Sequence, residues 1–502
     1  MICLSVVAPD LVTARAQVAK CEKKIGLIEL RVDHLKVFDS AELVRFCKES
    51  PLPLILTLRS KKQGGEFEGT SQQRRVILME LLTLQPTYLD LEWGEDELFL
   101  EKLTLGNTKV ILSWHGFLGE GGNNAKTVAK WFPQMKRVPA ALYKIVFEAS
   151  NALDPFALWS FLDNERKQGV PILGICSGTY GQSSRVLSAL MGNSFTYACA
   201  DNSSQAALGQ MSVDELTSRY GYHKLTPSSS LFGLIGERVS SSPSHITHNA
   251  VFQSGDWVGG QSGVYLKFAI QLNELKPLLT QAKKRGFKGL SVTMPYKEVI
   301  IPLLDEVDPY AKKLGAVNTI VFRGKKLVGY NTDGLGALNA IEQIAPVRNK
   351  KVCVLGAGGT ARAVVGEALR RGASVLVCNR APEKAEEIAR LFGCRGGAMS
   401  LLESEVREGY DVLINCTSVG MPPHGDQLPI DPALISPGSI VLDVVSRFPE
   451  TPLLREAKAL GCHTVSGREM FFLQAVEQCA LWFGEERVNR PRLREVMSSA
   501  LL

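Results

Sequence analysis

The sequence has no CxxC cysteine pair, no dense run of lysine and arginine, and no apolar stretch near the ~20 residues that cross a bilayer. Each absence removes a class. The eleven cysteines are scattered among mostly apolar neighbours, which points to reduced thiols in the cytoplasm and away from a disulfide framework. A net charge of +6 over 502 residues is too dispersed for a nucleic-acid groove and suits anionic metabolites better. The opening MICLSVVAPD carries no basic region and is stopped by Pro9 and Asp10, so it reads as a first strand and not as a signal segment. Histidines number seven; His245 and His248 have no third partner at ligand spacing, so no metal site is expected. Tandem repeats and low-complexity segments are missing as well.

What remains is an ordinary globular composition, 45% hydrophobic and 22% charged, in a chain too long for one core. Over the first 200 residues or so, short β-rich runs alternate with amphipathic stretches. The candidate strands are ICLSVVA, IGLIELRVD, LPLILTLRS, TYLDLEW, KVILSWH, LYKIVFEA, VPILGIC and FTYACA. Eight βα units in series predict an α/β fold opening with a (β/α)8 TIM barrel over residues 1–222. Ionisable residues fall where those strands end, the catalytic rim of such barrels: Glu29 and Arg31, Arg59, Asp90 and Glu92, His115, with Lys144 inside strand six. Residues 223–230, within YGYHKLTPSSS, lose the apolar period and read as a linker.

Further on, KVCVLGAGGTARA sets Gly356, Ala357, Gly358, Gly359, Thr360 and Ala361 between a strand and a helix, the G-x-G-x-x-A arrangement of a Rossmann turn. Glycines there admit a pyrophosphate, and the helix N-terminus favours its charge. At the end of the next strand, where an acid would meet a ribose 2′-hydroxyl, stand Asn379 and Arg380. A guanidinium can pair with a 2′-phosphate, which predicts NADP as cofactor; the alternative is a plain surface arginine.

SVTMPYK (291–297), GAVNTI (315–320), YNTDGLG (330–336), NCTSVGM (415–421) and GREMFFLQA (467–475) stand in the order and spacing of shikimate dehydrogenases, which the second half resembles. The resemblance implies a substrate-binding subdomain over 231–340, a Rossmann NADP-binding subdomain over 341–465 and C-terminal helices over 466–502 returning to the first. It also implies Lys297 and Asp333 as the catalytic pair. Thr293, Asn318 and Gln474 would bind substrate hydroxyls, Ser242 and Ser244 the substrate carboxylate, and Thr417 and Gly467 the cofactor. Departures occur at Arg238 and Ser241, where the family has proline and histidine, and at Ser446 and Phe448, where it has tyrosine and proline. They leave quinate open beside shikimate.

The first half resembles type I 3-dehydroquinate dehydratases through IELRVDHL (28–35), TLRS (57–60), SWHGF (113–117), YKIVFEA (143–149) and ALGQM (207–211). That resemblance implies a Schiff base on Lys144, with His115 as general acid/base, Glu29 orienting it, and Arg31, Arg59, Arg185 and Gln210 on the substrate. An apolar strand setting favours the neutral amine such chemistry needs. Taken singly, Lys144 could instead pair structurally with Glu29, and His115 could merely hydrogen-bond; together the residues favour catalysis. Gln63 stands where the family has an acid, with Glu66 as a substitute, and Ala206 where it has a serine, with Ser203 or Ser204 as substitutes. Dehydration of 3-dehydroquinate would supply the ketone that NADPH then reduces. The rival reading, a ligand sensor without turnover, would call for a DNA-binding module, and no helix-turn-helix candidate stands out.

Overall fold

The computed structural model describes residues 1–501 except 37–38, 101–102, 118–123, 256–261, 422–424 and 447–449. Two compact units form, Met1–Ser230 with Gln261–Ala282, and Leu231–Gly260 with Lys283–Leu502. No helix among the described residues is long and apolar enough to cross a membrane.

In the first unit, β1 (Ile2–Val6), β2 (Leu27–Arg31), β3 (Leu54–Thr57), β4 (Tyr88–Glu92), β5 (Lys109–Gly116), β6 (Leu142–Glu148), β7 (Ile172–Ser177) and β8 (Thr196–Ala198) are the eight expected strands. They pair in parallel in the order β7-β6-β5-β4-β3-β2-β1-β8, a nearly closed barrel. Parallel neighbours require crossovers, and helices such as Leu11–Cys21, Ser40–Glu49 and Ser71–Thr83 provide them. Their starts are set locally. Asp10 and Asp39 accept hydrogen bonds from first-turn N–H groups, and Thr70 with Gln73 forms a reciprocal capping box.

Strand periodicity explains why one end of the barrel is reactive. Cys3, Leu27, Ile55, Ile111, Leu142 and Leu173 form an apolar layer. Two residues further along the same strands, on the same face, come Ser5, Glu29, Thr57, Ser113, Lys144 and Ile175. The interior therefore passes from packed hydrocarbon to polar groups toward the strands' C-terminal ends.

The strand β10 (Gly263–Ala269) groups with the first unit. In the second unit, β9 (Ser230–Gly236), β11 (Phe287–Val292), β12 (Glu306–Val307), β13 (Thr319–Arg323) and β14 (Lys326–Tyr330) make a mixed sheet running β9-β11-β13-β14-β12. The remaining strands are β15 (Lys351–Leu355), β16 (Ser374–Asn379), β17 (Arg395–Ala398), β18 (Val412–Asn415), β19 (Ile440–Asp443) and β20 (His463–Ser466). They form an all-parallel sheet, order β17-β16-β15-β18-β19-β20, the doubly wound order whose reversal lies between β15 and β18. Helix Gly467–Phe483 then packs on helix Asp333–Glu342 of the mixed-sheet part.

Candidate active sites

The barrel's polar end surrounds a cavity of about 390 Å³, a volume suited to a small metabolite. Lys144, almost fully buried on β6, places its Nζ 3.3 Å from Glu29 Oε1 and 3.2 Å from Asp90 Oδ2, and 4.2 Å from the centre of the Tyr197 ring. Glu29 is itself fixed by the hydroxyls of Ser5, at 2.8 Å, and Thr57, at 3.0 Å. Burial pushes the Asp90 carboxyl upward, but Arg59 and Lys144 outweigh it and hold the group below its ordinary range, ionised. Asp90 and Tyr197 are neighbours of Lys144 that the sequence reading left without a role. Asp90 was visible only as one of several strand-end acids, and Tyr197 as one more strand aromatic.

The cavity's arginines differ in their partners. Arg31 pairs with Asp33 through two bonds of 2.9 and 2.7 Å. Arg59 bonds to Asp90 at 2.8 Å, Glu92 at 3.0 Å and Ser113 at 2.9 Å. Arg185, equally buried, has one bond, 3.3 Å to the Tyr197 carbonyl, while its Nε has no partner and no carboxylate pairs with it among the described residues. Burial lowers its guanidinium to about 10.

His115 also lines this cavity. Burial, then the charges of Arg59, Lys144 and Arg31, holds its imidazole well below the usual histidine range, so it is neutral at neutral pH. Gln210 Oε1 accepts the Ala206 N–H at 2.7 Å, closing a loop over the same cavity. The three candidate substitutes are engaged outside the cavity lining. Ser203 and Ser204 are taken up by Asp201 in their own turn, and Glu66 is exposed with its N–H on Asp33.

In the second unit, Lys297 forms an ion pair with Asp333, the first residue of helix Asp333–Glu342. Asn318 ties the neighbourhood together: its Nδ2 donates to Asp333 Oδ1 at 2.7 Å, Thr332 Oγ1 at 3.0 Å and Gln474 Oε1 at 3.1 Å. Gln474 gets this close because residue 336 is glycine; a Cβ there would lie 2.5 Å from the Gln474 Cβ. Beneath, Gln478 holds Ser291 at 2.8 Å and Thr319 at 2.9 Å, a support without a recognisable sequence signal. Thr293 is half-buried after β11, its N–H on the Ile235 carbonyl at 3.0 Å, and Ser242 and Ser244 share a hydroxyl hydrogen bond of 2.8 Å.

At the sheet reversal, Gly356 adopts φ +103°, which bends the chain after β15, and Gly359 opens helix Gly359–Arg370 after Ala357 and Gly358. A Cβ at Gly358 would meet nothing within 4 Å, so the backbone there is open to a large anion. The N–H groups of Gly359, Thr360 and Ala361 precede the first intrahelical bond, Arg362 N–H to Gly358. Arg380 is exposed past β16, beside Asn379, whose amide donates to the Ala381 carbonyl at 3.1 Å. Thr417 is fastened to Asn415 Oδ1 through both its N–H, at 3.0 Å, and its hydroxyl, at 2.7 Å. Gly467 begins the returning helix against the Val444 backbone. Ser446 is half-buried; Phe448 lies outside the described residues.

A barrel with a buried lysine among acids, followed by a Rossmann-type unit with a lysine–aspartate pair, is the architecture of a two-enzyme chain. Family models agree: type I 3-dehydroquinase matches residues 2–227, shikimate dehydrogenase substrate binding domain 234–320, and shikimate / quinate 5-dehydrogenase 339–422. The chloroplastic bifunctional 3-dehydroquinate dehydratase/shikimate dehydrogenase of Arabidopsis thaliana is 34% identical over 505 residues, covering 96% of this chain and 82% of that protein. The shikimate biosynthesis protein AroDE of Chlamydia pneumoniae is 32% identical over 486 residues, 96% of this chain and 95% of its own. A crystal structure of shikimate dehydrogenase in complex with NADP+ superposes with a TM-score of 0.50 at 32% identity, over 55% of this chain and 98% of that one. The chain belongs to the family of bifunctional 3-dehydroquinate dehydratase/shikimate dehydrogenases.

Proposed function

We propose that the first unit dehydrates 3-dehydroquinate through a Schiff base on Lys144, and that the second reduces the resulting 3-dehydroshikimate to shikimate with NADPH. The observation that carries this reading is the buried Lys144 amine in a cavity that also holds His115 and the carboxylate-free Arg185. The substrate carboxylate pairs with Arg185, which brings the ketone to Lys144. Condensation expels the carbonyl oxygen as water and leaves a protonated imine, which acidifies the neighbouring C–H. Neutral His115 takes that proton and then gives it to the departing β-hydroxyl, which leaves as water. Hydrolysis of the imine frees the enone and restores the amine. Glu29 and Asp90 steady the protonated imine once it forms, Arg31 and Arg59 order the rim, and Gln210 holds the covering loop.

NADPH, when bound, supplies the hydride for the second reaction. The open turn from Gly356 to Ala361 would hold its pyrophosphate and the exposed Arg380 beside Asn379 its 2′-phosphate, with Thr417 and Gly467 completing the cofactor site. Lys297, paired with Asp333, delivers the proton to the alkoxide oxygen. Thr293, Asn318 and Gln474 hold ring hydroxyls, and Ser242 and Ser244 the carboxylate. The barrel takes residues 1–222, the linker 223–230, the dehydrogenase's substrate-binding part 231–340 and its cofactor-binding part 341–465, while the C-terminal helices over 466–502 add Gln474 to the substrate site and Gly467 to the cofactor site. All eleven cysteines are free thiols, which fits a reducing cytoplasm.

Borohydride reduction in the presence of 3-dehydroquinate tests the covalent step. The expected product is a peptide containing Lys144 with added ligand mass, lost in Lys144→Ala; label on another residue would contradict it.

A further inference from the structure

We infer that Gln63 is a positioning residue for the dehydration: its side-chain oxygen selects the neutral His115 tautomer with its proton on Nδ1 and a bare Nε2, without adding charge. This rests on the reading of His115 as the barrel's acid/base.

Gln63 ends the short helical turn Lys61–Gln63 that follows β3, and it is buried. Both ends of its amide are fixed by groups whose roles are not in doubt. Its Nε2 donates to the Trp93 carbonyl at 3.0 Å, and its Oε1 accepts the backbone N–H of His115 at 3.0 Å. A carbonyl accepts only and a backbone N–H donates only, so the amide cannot be flipped. The same Oε1 lies 3.3 Å from His115 Nδ1. Two lone pairs would repel at that distance, so Nδ1 carries the hydrogen and the ring's other nitrogen, Nε2, keeps its lone pair. One amide thus fixes both the backbone and the ring of His115.

The absence of charge at Gln63 matters because of what else surrounds the ring. Arg31 from β2, Arg59 after β3 and Lys144 from β6 place positive charge near it. Asp33, Asp90, Glu92 and Glu29 are bonded to those cations. Glu148, Arg185 and Tyr197 line the same cavity. Among the described residues the ring's hydrogen-bond partner is Gln63, so no carboxylate contact stabilises the imidazolium. The base therefore stays unprotonated, and dehydration holds its rate, to a lower pH than a carboxylate–histidine pair would allow.

The pH dependence of kcat/KM for enone formation, in wild type, Gln63→Glu and His115→Ala, tests this. A carboxylate beside Nδ1 stabilises the protonated ring, so Q63E should move the acid limb up by about one pH unit or more. An unmoved limb in active Q63E would overturn the inference. Nitrogen NMR of the wild-type protein gives a second readout that does not depend on that variant folding: the His115 signals, identified by their loss in His115→Ala, should show a protonated Nδ1 and a bare Nε2 at neutral pH. The opposite tautomer would overturn the inference whatever the variants do. Full dehydration by His115→Ala would instead remove the reading of the site on which it rests.

Discussion

Among the described residues, no carboxylate offsets the cost of burying Arg185. Its guanidinium is buried with one carbonyl contact and an unpartnered Nε. Arg31 and Arg59 sit in the same cavity, each compensated by at least one carboxylate. A cation left uncompensated in a cavity suits an anionic ligand, and desolvated charge-assisted bonds are worth about 1.5–3 kcal/mol each. Arg185→Gln should therefore raise the KM for 3-dehydroquinate and lower kcat/KM by roughly tenfold to a hundredfold, with the NADPH-dependent rate on 3-dehydroshikimate unchanged. Steady-state kinetics of both reactions on the one variant checks this; an unchanged KM would take the carboxylate away from Arg185.

Elements were more legible in the sequence than contacts were. The eight apolar runs of the first half, each β-rich and followed by a helical period, are the eight strands, because a parallel strand buried on both faces must be apolar along its length. The glycine-rich turn after KVCVL lies where the doubly wound sheet reverses. Motifs singled out Lys144, Lys297 and Asp333, and the structure sets Lys144 in the barrel cavity and pairs Lys297 with Asp333. Supporting contacts were not, since they join residues far apart in the chain: Gln63 with His115, Ser5 and Thr57 with Glu29, Gln478 with Thr319. Glu66, Ser203 and Ser204 were plausible by proximity in sequence, yet Ser203 and Ser204 bond to Asp201 in their own turn and Glu66 is exposed. The contact between helices Asp333–Glu342 and Gly467–Phe483 makes a sharper prediction. Gly336→Ala puts a methyl against Gln474, and such overpacking costs about 1–3 kcal/mol. Dehydrogenase kcat and the melting temperature of that unit should fall, with dehydration unaffected; a variant with normal dehydrogenase kinetics would show that the Gln474–Asn318 contact is not needed.

For the whole molecule, two units with separate cores carry two chemistries joined by one metabolite. On the proposed function the barrel half uses the Lys144 amine and the neutral His115, and the dehydrogenase half the Lys297–Asp333 pair and the open turn at Gly358. A lesion in one site is expected to leave the reaction of the other intact. The most direct test follows purified protein given 3-dehydroquinate and NADPH, reading enone absorbance and nicotinamide oxidation together, with NADH in parallel and Lys297→Ala alongside. Wild type should form enone and then oxidise NADPH in preference to NADH, while Lys297→Ala accumulates enone without oxidation. Wild type that forms no enone would contradict the Lys144 chemistry, and enone without nicotinamide oxidation would contradict the dehydrogenase half of the account.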